Sequence, residues 1–155
     1  MKTKLNAKWI VGFVDGEGCF MASLIKNKTI KYGYQIQMEF VVTQHKRDVQ
    51  VLYALKSYFK CGQVGPNKKK KGNVWAWRVR GLQQHLDNVI PFFEKHPLKT
   101  KKQIEFIRFR KLCLRMQKKE HLTPEGFPEC YALAETLRYD STDMEYFVEK
   151  YENPN

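Results

Sequence analysis

The stretch Trp9-Ile10-Val11-Gly12-Phe13-Val14-Asp15-Gly16-Glu17-Gly18 decides how the rest of the chain is read. Its apolar first half predicts a short helix, and Gly12 and Gly16, one turn apart, strip the bulk from one helical stripe. A second helix can approach such a stripe almost to backbone contact, so this reads as an interface helix with Trp9, Gly12, Phe13, Asp15 and Gly16 in the contact. Glu17 follows the last turn, where unpaired carbonyls concentrate partial negative charge; a carboxylate there offers a place for a cation. A helix of this kind joins two copies and holds a metal at the joint. Taken alone, Asp15 and Glu17 describe a solvated helix end equally well.

Beyond Gly18 the period changes to two. Cys19 to Ile25 predicts a strand, Lys26-Asn27-Lys28-Thr29 a turn, and Lys31 to Thr43 a second strand. The second strand puts Tyr34, Ile36, Met38, Phe40 and Val42 on one face and Gln35, Gln37, Glu39, Val41 and Thr43 on the other. Arg47 to Lys60 predicts an amphipathic helix through Val49, Leu52, Leu55 and Phe59, stopped by glycine at Cys61-Gly62. A second hairpin runs from Gln63 to Arg80 around a loop holding Lys68, Lys69, Lys70, Lys71 and Asn73. Its return strand carries Trp75, Trp77 and Val79 on the core side, with Val74, Ala76, Arg78 and Arg80 opposite. Leu82 to Phe93 predicts a helix, Lys102 to Lys118 another along Ile104, Ile107, Leu112 and Met116, and Pro128 to Tyr139 a further helical segment. Thr142 is a candidate cap for a last short helix.

Two strand-strand-helix units after a first helix predict an α+β fold, an αββαββα core with a four-stranded antiparallel, saddle-like sheet. Helices cover one face, and further helices follow at the C-terminus. One domain over 1–155 is expected, with its core at about 5–118 and a C-terminal helical segment at about 122–152. A chain of this length buries roughly two thirds of its unfolded surface. No second copy of the opening motif is present in the sequence.

The chain has 28 Lys plus Arg against 16 Asp plus Glu, a net charge of +12, with 14% aromatic residues. That balance describes a folded basic domain, whose commonest partner is nucleic acid. A membrane partner is not expected, since no run reaches the roughly 20 apolar residues of a spanning helix. The uncovered sheet face presents Ser23, Gln35, Gln37, Glu39, Arg78 and Arg80. Ile25, Asn27, Thr29 and Lys31 extend it along the first hairpin, and Lys68 to Lys71 with Asn73 along the second. A bare lysine run is also the mark of a solvated loop or a localisation signal, but at a hairpin tip beside arginines it reads as phosphate contact. A two-stranded ribbon fits the DNA major groove, where Gln pairs with adenine and Glu accepts from cytosine.

The four cysteines, Cys19, Cys61, Cys113 and Cys130, form no C-x-x-C pair and read as reduced thiols of an intracellular protein. Cys113, His121 and Cys130 lack the spacing of a zinc finger. His45, His85 and His96 have no partners at ligand spacing and read as satisfied or exposed side chains.

Residues Ile10 to Gly18 resemble the signature of the LAGLIDADG homing endonucleases, with Glu17 in place of the final Asp. The resemblance continues through Gly16 to Gln44, ending Val42-Thr43-Gln44. It runs on through Pro97 to Phe109 and through His121-Leu122-Thr123-Pro124-Glu125-Gly126, so it covers most of the chain in order. It implies a homing endonuclease that cuts both strands of a long double-stranded DNA site with a divalent metal. The metal is Mg²⁺, with Mn²⁺ as a substitute and Ca²⁺ as a non-catalytic one. One motif implies a homodimer on a near-palindromic target. Glu17 matches the metal-binding acid and the Gly16 carbonyl a second ligand. Gln44 matches a residue that positions solvent, and Lys102 the lysine that supports the nucleophile or the phosphorane.

The match departs from the family in three places. Glu17 is one methylene longer than the usual Asp. Asp48 stands where some relatives carry a basic residue, with Lys46 and Arg47 beside it. The register of the lysine admits Lys99 and Lys101 as well as Lys102. A single carboxylate is a poor Mg²⁺ site and two at a twofold axis a usable one, which makes dimerisation and catalysis one requirement. An organellar protein, in a chloroplast or mitochondrion, is expected, and since Met1 to Lys4 is too short before the motif to be a transit peptide it would be encoded there; a prokaryotic cytoplasm is the other setting. The rival readings are an RNA-binding intron maturase and an inactive DNA-binding relic on the same fold.

Overall fold

The computed structural model describes residues 2–68 and 72–137. The opening helix is α1, Ala7–Glu17. Asn6 starts it by accepting from the Trp9 amide at 2.9 Å, which satisfies one orphan N–H of the first turn. Ile10, Val11 and Val14 form its buried stripe. The chain passes from Glu17 straight into β1, Gly18–Lys26, with no loop. Gly18 permits this, since a Cβ there would lie 2.7 Å from Val14 Cγ1.

β1 pairs antiparallel with β2, Tyr34–His45, from Gly18 opposite Val42 to Lys26 opposite Tyr34. The sequence placed the start of β2 at Lys31. It starts later because Asn27 folds the loop: its Oδ1 accepts from the Thr29 amide at 3.1 Å and the Thr29 hydroxyl at 2.6 Å. After a 3-10 turn, Lys46–Asp48, comes α2, Val49–Phe59. The expected glycine stop is corrected here. Lys60 itself takes the left-handed conformation, φ 59°, and returns its N–H to the Lys56 carbonyl at 2.8 Å. Gly62, also at positive φ, serves a different need: a Cβ there would collide with the Trp77 ring, whose Nε1 donates to the Cys61 carbonyl at 2.9 Å.

β3, Gln63–Pro66, and β4, Val74–Val79, complete a four-stranded antiparallel sheet of order β1-β2-β4-β3. Phe20, Ala22, Ile36, Met38, Phe40, Val42, Trp77 and Val79 are its buried inner face, as the alternation predicts. Trp75 is only half-buried at its rim. Phe20 stacks on Phe40 at 4.7 Å, and Phe93, Phe106 and Phe109 surround it at 5.6, 5.5 and 5.2 Å. Each such ring buries a large apolar area, so this cluster fixes the helices to the sheet.

β4 ends opposite Phe40, which leaves the first half of β2 without a strand partner on that side among the described residues. The next helical segment, α3, covers 82–95 in three pieces: Leu82–Gln84, a π turn His85–Val89 and Ile90–Lys95. A regular helix was expected from Leu82 to Phe93. Pro91 has no N–H to return to the preceding turn, and the widened turn before it absorbs the defect. The fully buried His85 then sits with Nε2 3.3 Å from the Met38 carbonyl, satisfying an acceptor that β4 does not reach.

α4, Lys102–Gln117, packs Phe106, Phe109, Leu112 and Cys113 into the core. α5, Gly126–Glu135, lies by β1 and the start of β2, with Phe127 stacked on Tyr32 at 4.6 Å. Just beyond α5, the Leu137 carbonyl accepts from the Ala22 amide at 3.3 Å, closing part of the open edge of β1. The expected helix end at Tyr139 and the Thr142 cap lie outside the described residues.

Candidate functional site

Three of the predicted residues converge on one end of the sheet. Glu17 is the exposed last residue of α1. Gln44 lies two residues along β2 from Val42, the partner of Gly18. Lys102, the first residue of α4, donates from Nζ to the Gly18 carbonyl. Its ammonium therefore sits at the negative end of α1, where a cation is favoured. Lys99 and Lys101 are exposed, and their ammonium groups make no hydrogen bond among the described residues.

The segment ahead of α4 is tied to α1 through Asp15. One carboxylate oxygen accepts from the Lys99 amide at 2.8 Å; the other accepts from the Thr100 amide at 3.1 Å and the Thr100 hydroxyl at 2.7 Å. Thr100 Oγ in turn accepts from the Lys102 amide at 3.3 Å. Burial alone would raise the Asp15 carboxyl, but these donors and the Lys102 charge outweigh it and hold the group below its ordinary range. Asp15 thus braces the segment ahead of α4 against α1. Thr100 was missed, although a threonine two residues ahead of a helix is a recognisable start signal.

One turn along α4 from Lys102 lies Glu105, its Oε2 buried without a hydrogen-bond partner and its carboxyl raised, by burial against the opposing charge of Lys102. Burial and Glu105 push the Cys19 thiol up to about 12, so it stays protonated and inert at neutral pH. Gln44 Oε1 accepts from the His45 amide at 2.8 Å, which leaves its NH₂ as the outward group. Asp48 forms an exposed 3.5 Å pair with Arg47. A metal at Glu17 would find one carboxylate and the Gly16 carbonyl. No group of three or more His, Cys, Asp or Glu ligands occurs among the described residues.

On the outward stripe of α1, Trp9 stacks on Phe13 at 4.6 Å with 42% of Trp9 still exposed. A Cβ on Gly12 or Gly16 would meet nothing within 4 Å. Packing among the described residues therefore gives no reason for either glycine.

On the uncovered sheet face, Ser23 stands opposite Gln37 and Ile25 opposite Gln35, with Ser23, Ile25 and Gln35 exposed. Lys31 is exposed over the Tyr32 ring. Asn27 and Thr29 are engaged with each other at the hairpin tip. Lys68 and Asn73 are exposed; Lys69, Lys70 and Lys71 lie outside the described residues. The largest departure is Glu39, expected to face a base. Its side chain is 8% exposed, one oxygen held by Arg78 Nη1 and the other by Arg80 Nε at 3.0 Å. Asn67, which the sequence did not single out, accepts from Arg78 Nη2 at 3.1 Å. Val41 and Ala76 are buried on this face, so it is less uniformly wet than the alternation suggested.

A braced helix end with an acid, an amide and an ammonium beside a basic α+β sheet defines the class, and comparison with known proteins identifies it. Residues 10–113 match the family described as LAGLIDADG endonuclease, and the chain belongs to that family. It is 42% identical to the homing endonuclease I-TnaI, with a TM-score of 0.82 over 96% of this chain and 99% of that one. It is 34% identical to the I-SmaMI LAGLIDADG homing endonuclease bound to cleaved DNA, TM-score 0.82, over 89% of this chain and 46% of the other. The Neurospora crassa protein named "Probable intron-encoded endonuclease 2" is 26% identical over 132 residues, which are 85% of this chain and 27% of that protein. The chain spans about a quarter of the length of the first intron-encoded relatives it matches.

Proposed function

We propose that the chain is a site-specific homing endonuclease that hydrolyses both strands of a long, near-palindromic double-stranded DNA target, with divalent metal at a homodimer interface. The observation that carries the reading is the placement of Glu17, Gln44 and Lys102 at the end of the sheet where α1, with its bare glycine stripe, also ends. I-SmaMI is about twice as long as its match to this chain, which supports a working unit of two such folds, while I-TnaI, matched end to end, supports a chain that carries one of them. The intron-encoded relatives support a gene carried by an intron, and we place the protein in an organelle that encodes it.

Glu17, paired with its copy across α1, would hold the cation, with the Gly16 carbonyl as a further oxygen ligand. When bound, the divalent ion neutralises charge on the scissile phosphate. Mg²⁺ is the reading, with Mn²⁺ as a substitute; one I-SmaMI structure was determined with calcium ions and an uncleaved target. The NH₂ of Gln44 donates toward the attacking water or a phosphate oxygen. Lys102 presents its charge to the pentavalent phosphorus, held there by the Gly18 carbonyl. Asp15, through Thr100, fixes the backbone from which Lys102 projects. The open sheet face and the basic loop supply the DNA contacts.

The test is Mg²⁺-dependent cutting of a randomised duplex library by the wild type beside Glu17→Gln. The expected result is double-strand breaks at one near-palindromic sequence, lost by at least about 10³-fold in the variant while binding in Ca²⁺ persists. Tight binding by the wild type with no cutting overturns the reading, and intron RNA becomes the substrate to try.

A further inference from the structure

We infer that Arg80 reads a guanine in each half of the target, and that Glu39, Arg78 and Asn67 are the scaffold that aims it. The inference rests on the proposed reading that this sheet face lies against DNA. Glu39 cannot itself accept from a base, because both its oxygens are occupied and its side chain is 8% exposed. Arg78 is also committed: Nη1 is on Glu39, Nη2 is on Asn67 at 3.1 Å, and 21% of the side chain is exposed.

Arg80 differs. Only Nε is used, at 3.0 Å from Glu39, and 57% of the side chain is exposed. Both of its terminal NH₂ groups are without a hydrogen bond among the described residues. A guanidinium pinned through Nε keeps its Nη1–Nη2 edge free, two parallel N–H donors in a fixed plane. That edge matches O6 and N7 of guanine in the major groove, the commonest specific arginine contact. Pinning also lowers the ordering cost that an unsupported arginine meets on binding.

Within the network the charges are one carboxylate against two guanidiniums, so the cluster keeps one net positive charge to present. Its position is defined as well. Arg80 follows Val79, which pairs with Phe40, and lies five residues along the chain from Trp75, the partner of Gln44. Five residues of strand are about 17 Å. At about 3.4 Å per base step, the guanine lies about five base pairs out from the cut.

The test is the base preference of the whole protein at every target position, measured by selection from a randomised duplex pool in Ca²⁺, for wild type, Arg80→Gln and Glu39→Gln. Arg80→Gln replaces an exposed residue and leaves the buried Glu39–Arg78 pair intact. A guanine preference at one position per half-site in wild type, falling about tenfold or more in Arg80→Gln with other positions unchanged, is the expected result. Glu39→Gln turns an NH₂ toward the Arg80 Nε–H and releases the arginine. It should weaken selectivity at that same position without lowering overall affinity, a split that a merely structural role would not produce. If Arg80→Gln instead weakens all sequences equally and lowers the salt slope by about one, Arg80 holds a phosphate and the inference is wrong. If Glu39→Gln relaxes a cytosine preference at a different position, Glu39 is the reader and the inference is equally wrong. A wild type without sequence-selective DNA binding removes the proposed function itself, an outcome separate from either of these.

Discussion

Two polar clusters sit on this sheet, and they are built on opposite plans. At the α1–β1 junction, side chains bond the backbone: Asp15 takes the Lys99 and Thr100 amides, and Lys102 gives to the Gly18 carbonyl. In the middle of the open face, side chains bond side chains: Glu39 with Arg78 and Arg80, Arg78 with Asn67. The first plan ties chemistry to main-chain positions that the fold already dictates. The second ties contacts to one another, so several can be exchanged together with no change of fold. On the proposed function, the residues assigned to cleavage lie on the first plan and those assigned to DNA reading on the second.

The comparison can be broken at the junction most severely by Lys102→Ala. Cleavage of the selected target should fall about 10²–10³-fold, the usual cost of removing one aimed charge or donor, while affinity in Ca²⁺ changes little. Equal losses in Lys99→Ala or Lys101→Ala, measured in single-turnover cleavage, would show that register and not the Gly18 contact picks the lysine. Gly12→Leu should come next: a side chain on the bare stripe pushes the α1 contact apart. Sedimentation should show monomer at micromolar protein, and cutting should fall with the dimer. An intact, active dimer would mean that α1 is not the joint.

A third test sharpens the contrast at the open half of β2, next to Glu39. Burial drives His85 from its ordinary 6.5 down to about 4, with the Met38 carbonyl and Glu39 pulling weakly the other way. Its folded form resists protonation while the unfolded chain accepts the proton. The stability due to neutral His85 is therefore complete above about pH 6.5 and is lost as pH falls toward 4, about 3 kcal/mol in all. Denaturant melts at pH 7 and pH 4.5 should show this slope in wild type and a flatter one in His85→Gln. The smallest effect is Asp15→Ala, which removes a three-donor acceptor that is partly solvated. Melting should reveal a loss of about 1–2 kcal/mol, while Asp15→Asn, which keeps one acceptor oxygen, loses less.

Much of the fold could be read because its signals are local and periodic. The alternation through Ile36, Met38, Phe40 and Val42 named the buried face of β2, and the Gly12 and Gly16 spacing marked the outward stripe of α1. Three features could not be read from local signals alone. The stop after α2 falls on Lys60, since a left-handed residue is needed there and the glycine is spent beside Trp77. The π turn arises from Pro91 and a histidine that must reach the Met38 carbonyl, a partner 47 residues away. The capture of Glu39 depends on arginines 39 and 41 residues further along, which alternation could place on the same face but not in contact. The candidate site divides likewise. Glu17 stands out in the opening motif and Gln44 at the end of Val42-Thr43-Gln44, whereas choosing Lys102 over Lys99 and Lys101 needs the turn that Asp15 and Thr100 impose.

The absence of a loop between α1 and β1 has a mechanical meaning. Helix and strand meet at Gly18 as two arms of one bent beam, stiffened at the elbow by Val14 on one side and the Lys102 ammonium on the other. A rotation of α1 cannot be absorbed locally, and it reaches the far tip of β1 as a swing of the first hairpin. In the proposed dimer on DNA, the angle of α1 at the joint and the curvature of the open face would therefore change together.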